Sequence, residues 1–151
     1  MRSQARRVPG EFLLGVAPLS AALLVVFNDL WLKLQYPGVV SGKLSDVGLC
    51  FLLPLPVAAA AEWMLWLVAA LRKSALPFSR HALYAGSSCF AAAYFIAIKL
   101  FDTGAKLHVA ILSALLPAHG FRAVADPTDL VCLPLTWLAY RHLVRSLTRA
   151  G

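Results

Sequence analysis

Long apolar segments constrain this chain more than any other feature of its sequence. An α-helix needs about 20 apolar residues to cross the hydrocarbon core of a bilayer, because each residue adds about 1.5 Å along the axis. Four segments are long enough or nearly so, at about 12–34, 47–71, 82–101 and 130–146. Of the 151 residues, 60% are apolar and 14% charged, whereas soluble domains are about 45–50% apolar and about 25% charged. The sequence therefore predicts an all-α integral membrane protein.

We expect one polytopic domain over residues 1–151, folded as a compact bundle of four transmembrane helices. The segment at about 107–117 is apolar but too short to cross a bilayer, so it is predicted to form an interfacial or re-entrant helix at the outer face. A five-span alternative uses 107–125 as an additional crossing. The two arrangements put the C-terminus on opposite sides of the membrane. The distribution of lysine and arginine between the two sides can therefore distinguish them.

Counts of lysine and arginine favour the four-span arrangement. With the N-terminus inside, four spans place nine of these residues on the inner side and five on the outer side, whereas five spans give seven on each. In membrane proteins the cytoplasmic flanks carry the excess of positive charge. We therefore expect an integral protein of a plasma or inner membrane with both termini cytoplasmic. The net charge of +7 then reflects topology, and nucleic acid is not an expected partner.

In this topology most acidic residues lie at one face of the membrane. All five aspartates and four of the five lysines fall at the outer face, so every span contributes at least one acid to one layer. Asn28, Asp29 and Asp129 are predicted to lie below the headgroups, a depth at which ionisable groups are costly and often functional. The candidate binding residues of this outer polar layer are Asn28, Asp29, Lys33, Lys43, Asp46, Lys99, Asp102, Lys106, Asp126 and Asp129.

Local pairing and capping offer a simpler explanation of the same charges. Asp126 suits a helix N-cap and Pro127 the first helical position, and Ser45 suits the cap of the second span. Opposite charges three or four residues apart share a helix face and attract each other. The pairs with this spacing are Asp29/Lys33, Lys43/Asp46, Lys99/Asp102 and Asp102/Lys106.

Three kinds of ligand chemistry fit the outer layer. Aspartate oxygens suit a hard cation such as Ca²⁺ or Mg²⁺, although the interspersed lysines argue against a dedicated metal cage. The lysines suit a phosphate such as a lipid headgroup, and neighbouring aspartates suit a proton- or ion-coupled path. We therefore expect a binding or transport module for an ion or a phosphate-bearing lipid. Membrane lipids are its expected partners, and no cofactor is expected.

Two further functions remain open. The chain could be a structural or accessory subunit of a larger membrane complex, in which the charges only pair and cap. It could also be an intramembrane lipid-modifying enzyme that uses an outer aspartate as acid or base. An enzyme is less expected, because the sequence has neither a G-x-S-x-G nor an H-E-x-x-H motif. A bundle of 151 residues is thin for enclosing a path alone, which favours a homo-oligomer or a partner protein.

Glu62 is set apart from every other acid, because it falls near the middle of the second span. One interpretation is an intramembrane carboxyl that carries protons. The other is a protonated glutamic acid that is hydrogen-bonded to a neighbouring helix. Among the cysteines, Cys50 and Cys132 are predicted to lie about one turn below the same membrane face, where a disulfide would be possible.

Overall fold

The computed structural model describes residues 8–36, 38–73, 78–115, 117 and 123–149, and regular structure in these ranges is entirely helical. In order, the α-helices are α1 (Val16–Phe27), α2 (Lys33–Gln35), α3 (Val39–Leu52), α4 (Pro54–Arg72), α5 (Arg80–Leu100), α6 (Asp102–Leu115) and α7 (Pro134–Arg149). A π-helical turn, Asn28–Leu32, joins α1 to α2 without a break. Short 3₁₀ helices, Glu11–Leu14 and Pro127–Cys132, precede α1 and α7.

Three helical segments in the described ranges are long and apolar enough to cross a membrane: Val16–Gln35, Val40–Arg72 and Arg80–Leu100. They correspond to the first three predicted spans, and with the all-α architecture they indicate a membrane protein. The predicted fourth span is not among them. Its α-helical part, α7, has only 16 residues and carries arginine in its second half. The structure thus supports three candidate spans and does not confirm four spans with a re-entrant helix.

Two predicted helix starts are too late. The second segment becomes helical at Val39 rather than near residue 47. The Ser41 hydroxyl caps the N-terminus of this helix, because it accepts a 3.2 Å hydrogen bond from the Gly38 N–H. Ser45 consequently lies inside α3 and is not its cap. The segment predicted at about 107–117 begins at Asp102, immediately after Phe101 turns the chain in an extended conformation.

Packing is organised around α5, which contacts α4, α6 and α7, while α1 packs against α3. One apolar core joins Phe12 of the first 3₁₀ helix to Leu55, Tyr84 and Leu143. A second core joins Cys50, Phe95 and Cys132. Both cysteines are buried as free thiols, so the disulfide considered from the sequence is not formed.

The close approach of α6 to the end of α5 requires a residue without a side chain in the first turn of α6. A methyl group added at Gly104 would overlap the carbonyl group of Ala97, which belongs to α5 and cannot rotate away. The two helices can therefore approach closely only because position 104 is glycine. A methyl group added at Gly86, within α5, would meet no other atom within 4 Å.

We predict that Gly104→Ala lowers the free energy of unfolding by about 1–3 kcal/mol, the usual effect of overpacking at a rigid contact. The matched control Gly86→Ala adds the same methyl group where nothing obstructs it. It should be neutral or stabilising by up to about 1 kcal/mol, since alanine is the better helix former. Thermal unfolding in detergent measures both, and equal effects of the two substitutions would contradict the packing argument.

Candidate functional site

The site is centred on Lys99, near the end of α5. The Lys99 ammonium lies 3.0 Å from Asp46 Oδ2 and 2.7 Å from Asp129 Oδ2. The second oxygen of Asp129 accepts a 2.9 Å hydrogen bond from Lys43. We call these four residues the Lys99 network. It joins α3, α5 and the 3₁₀ helix that precedes α7, and the side chains of Lys99, Asp46 and Asp129 are only 10–15% exposed.

Capping of the 3₁₀ helix positions Asp129 for this network. The Asp126 carboxylate accepts the Thr128 N–H at 2.9 Å, and this hydrogen bond lowers the pKa of Asp126 below its ordinary value. Pro127 occupies the first helical position. Both assignments agree with the capping pattern predicted from the sequence. Asp129 then falls in the first turn, where the free N–H groups of the helix favour a carboxylate.

A second polar cluster connects α3 to the π-helical turn. Asp29 forms an ion pair with Lys33 at 2.7 Å and accepts a 2.6 Å hydrogen bond from the Ser45 hydroxyl. The Asn28 amide donates to Ser45 Oγ and to the Ser41 carbonyl oxygen, both at 2.7 Å. Asn28 is fully buried, and its Oδ1 atom has no partner within the described ranges. A π-helical turn inside an α-helix is frequently associated with function.

The two clusters border a common cleft of about 350 Å³. His108, on α6, also lines it, and its Nδ1 atom lies 2.8 Å from the Tyr94 hydroxyl. Burial lowers the pKa of the His108 imidazole, and the charge of nearby Lys99 lowers it further, so both favour the neutral form. The charged side chains that line the cleft are Lys33, Lys43, Lys99, Asp46, Asp126 and Asp129.

Most of the predicted outer layer is brought together here. Asn28, Asp29, Lys33, Lys43, Asp46, Lys99, Asp126 and Asp129 all belong to the two clusters or the cleft. Asp102 and Lys106 do not. They lie exposed on α6, and neither forms an ion pair with any residue in the part of the chain that the structure describes.

Only one of the four predicted local ion pairs forms, and it is Asp29/Lys33. Lys43 binds Asp129 rather than Asp46, because Asp46 is already bound to Lys99. The Lys99/Asp102 prediction is wrong because the helix ends at Leu100, so the i,i+3 geometry is lost. The Asp102/Lys106 pair is also absent although both residues lie in α6.

Sequence reasoning missed several neutral members of the site, namely Ser45, Tyr94, His108 and Thr128. The spacing of Ser41 and Ser45, four residues apart on one face of α3, was an available signal for the polar contact with the π-helical turn. Tyr94 and His108 meet only because the chain reverses between α5 and α6. No periodicity within either helix indicates that contact.

Glu62 lies apart from the Lys99 network, in α4, and is 5% exposed. Its Oε1 atom accepts a 2.5 Å hydrogen bond from the Tyr84 hydroxyl on α5. Its Oε2 atom accepts a 2.9 Å hydrogen bond from the Gly10 N–H. Glu62 therefore anchors the segment before α1 and is hydrogen-bonded to a neighbouring helix. Its role as a proton carrier stays a prediction.

The arrangement determines which ligands the cleft can accept. Within the described ranges no group of three or more His, Cys, Asp or Glu residues is placed to hold a metal ion. Lys99 occupies the space between the carboxylates of Asp46 and Asp129, where a cation bridging them would have to bind. Lys43 and Lys99 each donate two hydrogen bonds and Lys33 forms one ion pair, although an ammonium group has three N–H donors. The cleft therefore offers remaining N–H donors to an anionic oxygen.

Comparison with known proteins does not place the chain in a family. No protein-family model, no curated protein and no solved structure matches it.

We predict that Lys99→Met destabilises the protein by about 3 kcal/mol or more, because removing one member of a buried ion pair leaves an uncompensated charge. Here Asp46 loses the ion-pair partner that it has in the described ranges, and Asp129 keeps only Lys43. The control Lys33→Met removes a pair whose side chains are 39% and 45% exposed, and it should cost under about 1 kcal/mol. Thermal or chemical unfolding in detergent compares the two, and a Lys99→Met variant as stable as Lys33→Met would contradict a structural role of the network.

Proposed function

We propose that this chain is a membrane-embedded binding module whose cleft beside the Lys99 network takes a phosphate-bearing lipid headgroup. The observation that carries the proposal is the presence of three lysine side chains around one cleft of about 350 Å³, in a chain with three candidate spans. Lysine ammonium groups bind phosphate as point charges. The more exposed cleft lysines, Lys33 and Lys43, are the ones that reach an incoming phosphate.

The charge balance of the lining favours a headgroup that carries both signs. Three aspartates line the cleft beside the three lysines, so a ligand that is only anionic meets repulsion as well as attraction. A phosphate linked to a primary ammonium, as in phosphatidylethanolamine, complements both. Its phosphate would face Lys33 and Lys43, and its ammonium would face Asp126. Transport of the bound group is a further expectation that depends on this binding.

The topology that we propose places the cleft on the outer side of the membrane. Residues 127–149, the 3₁₀ helix followed by α7, form the fourth crossing. At about 2.0 Å per residue for the 3₁₀ part and 1.5 Å for α7, this segment is roughly 36 Å long, enough for a core of about 30 Å. Both termini are then cytoplasmic, and α6 lies at the outer face.

A reporter fused after Gly151 tests this topology. A fluorescent or enzymatic reporter that works only in the cytoplasm should be active, because an even number of crossings returns the C-terminus to the side of the N-terminus. A second fusion, to a reporter that works only outside, should be inactive. The opposite pattern would rule out the four-span arrangement.

A second candidate function is that of an accessory subunit in a larger membrane complex or a homo-oligomer. It is favoured by the pairing of every cleft lysine with an aspartate of the same chain. In that case the charges hold helices in register and bind no ligand. A lipid-modifying enzyme has less support, since Asp46 and Asp129 each accept hydrogen bonds from lysine, which opposes their use as a general base.

Lipid-dependent stabilisation distinguishes the first two candidates. We expect phosphatidylethanolamine, added to the full chain in neutral detergent, to raise the melting temperature more than phosphatidylcholine, whose quaternary ammonium cannot donate hydrogen bonds. Lys33→Gln should weaken the affinity for phosphatidylethanolamine by about tenfold, the usual effect of losing one charged hydrogen bond. Lys33 suits this test because its removal leaves the Lys99 network intact.

The matched control for this experiment is Lys106→Gln, which removes an exposed lysine outside the cleft. It should leave the lipid affinity unchanged. Equal affinities for the lipid in the wild type and Lys33→Gln would contradict headgroup binding in the cleft. Destabilisation by substitutions in the network, without any stabilisation by lipid, would favour the accessory subunit. Stabilisation by Mg²⁺ or Ca²⁺ in place of lipid would favour an ion site.

A further inference from the structure

A second cavity lies outside the Lys99 network, where the start of α1 meets α7. It has a volume of about 510 Å³ and is lined by the start of α1, by Phe51 near the end of α3, and by α7. One part of its wall is basic, formed by Arg141, His142 and Arg145. The rest is largely apolar and includes Val16, Phe51 and Leu138. The cavity is thus amphipathic, with its charge concentrated on one helix.

Among the residues that the structure describes, no acidic group balances the positive charge of this cavity. No carboxylate lines it in the described ranges, and neither arginine has an ion-pair partner there. The lysines of the first cleft, by contrast, are all paired with aspartates. Arginines along one membrane face are common in membrane proteins and need no ligand. Arg141 and Arg145 differ from such arginines because they border a cavity large enough for a headgroup, which the start of α1 also lines.

The walls of the cavity are held in place by specific contacts. The Arg141 guanidinium lies 4.8 Å from the centroid of the Trp137 ring, a cation–π arrangement that restrains it. A ring nitrogen of His142 lies 3.2 Å from the Phe12 carbonyl oxygen. A Cβ atom at Gly15 would come within 3.3 Å of the His142 ring, so α1 begins in close contact with α7.

We infer that this cavity binds the phosphate of an anionic phospholipid. A guanidinium presents several N–H donors in a planar fork that matches phosphate oxygens, and Arg141 and Arg145 lie one helical turn apart on α7. Val16 is 83% exposed and Leu138 is 43% exposed, so the apolar wall continues onto the surface that would meet acyl chains. The site is separate from the cleft proposed above, and neither proposal depends on the other.

Binding of phosphatidylglycerol to the full chain in neutral detergent tests the inference. Native mass spectrometry should show retained phosphatidylglycerol, and its addition should raise the melting temperature, whereas phosphatidylcholine should have little effect. Arg145→Gln should weaken the affinity for phosphatidylglycerol by about tenfold. Arg145→Lys keeps the positive charge and loses the planar fork of N–H donors, so its affinity should lie between those of the wild type and Arg145→Gln. Arg141→Gln should act like Arg145→Gln and also lose the contact with Trp137.

Two controls make the experiment decisive. Arg72→Gln removes an exposed arginine from the last turn of α4, outside the cavity, and should retain wild-type affinity. Lys33→Gln should also retain it, which separates this site from the first cleft. Wild-type affinity in Arg145→Gln, or an equal loss in Arg72→Gln, would overturn the inference. Stabilisation by soluble glycerol 3-phosphate equal to that by phosphatidylglycerol would overturn the assignment of the apolar wall to acyl chains.

Discussion

The position of Lys99 between two carboxylates is the constraint on which this end of the molecule depends. Charges that are largely removed from water are costly unless they are paired at close distance, and the cost of a lost partner exceeds the gain of any surface ion pair. Asp46, Lys99 and Asp129 belong to three different helical elements. The three elements must therefore be aligned with one another for both ion pairs to form. The cleft depends on the same alignment. The proposed binding role would share the atoms of the network with the structural role, whereas Lys33 lines the cleft outside the network.

The sequence was sufficient for features that depend on a few consecutive residues. Hydropathy predicted four spans, of which three correspond to candidate spans in the structure. The spacing of Asp29 and Lys33 predicted their ion pair, and Asp126 followed by Pro127 predicted a helix start. The membership of the polar layer was also largely predictable, since charges avoid the apolar middle of each segment. The partners of Lys99 were not predictable. They lie 53 and 30 residues away, and their choice depends on how α3 and α5 pack and on where α5 ends.

The two cavities differ in how the charged side chains around them are paired. Near the Lys99 network, lysines and aspartates are interleaved and each cleft lysine has an aspartate partner. At the start of α1 and the second half of α7, arginines border a cavity without any carboxylate among its described lining residues. Glu62 contributes to neither, because its two oxygens hold Gly10 and Tyr84. A zwitterionic ligand suits the first environment and an anionic one the second.

The helical segment Val40–Arg72 has 33 residues, which corresponds to a length of about 50 Å. Even when tilted by about 40°, the upper end of the range for membrane helices, it would extend about 38 Å along the bilayer normal, against a hydrocarbon core of about 30 Å. Tilt alone cannot absorb this mismatch. The segment must bend where α3 meets α4 at Leu53, thicken the bilayer locally, or leave one end among the headgroups. The charged turns of α3 that carry Lys43 and Asp46 are the part that would gain hydration from such an excursion.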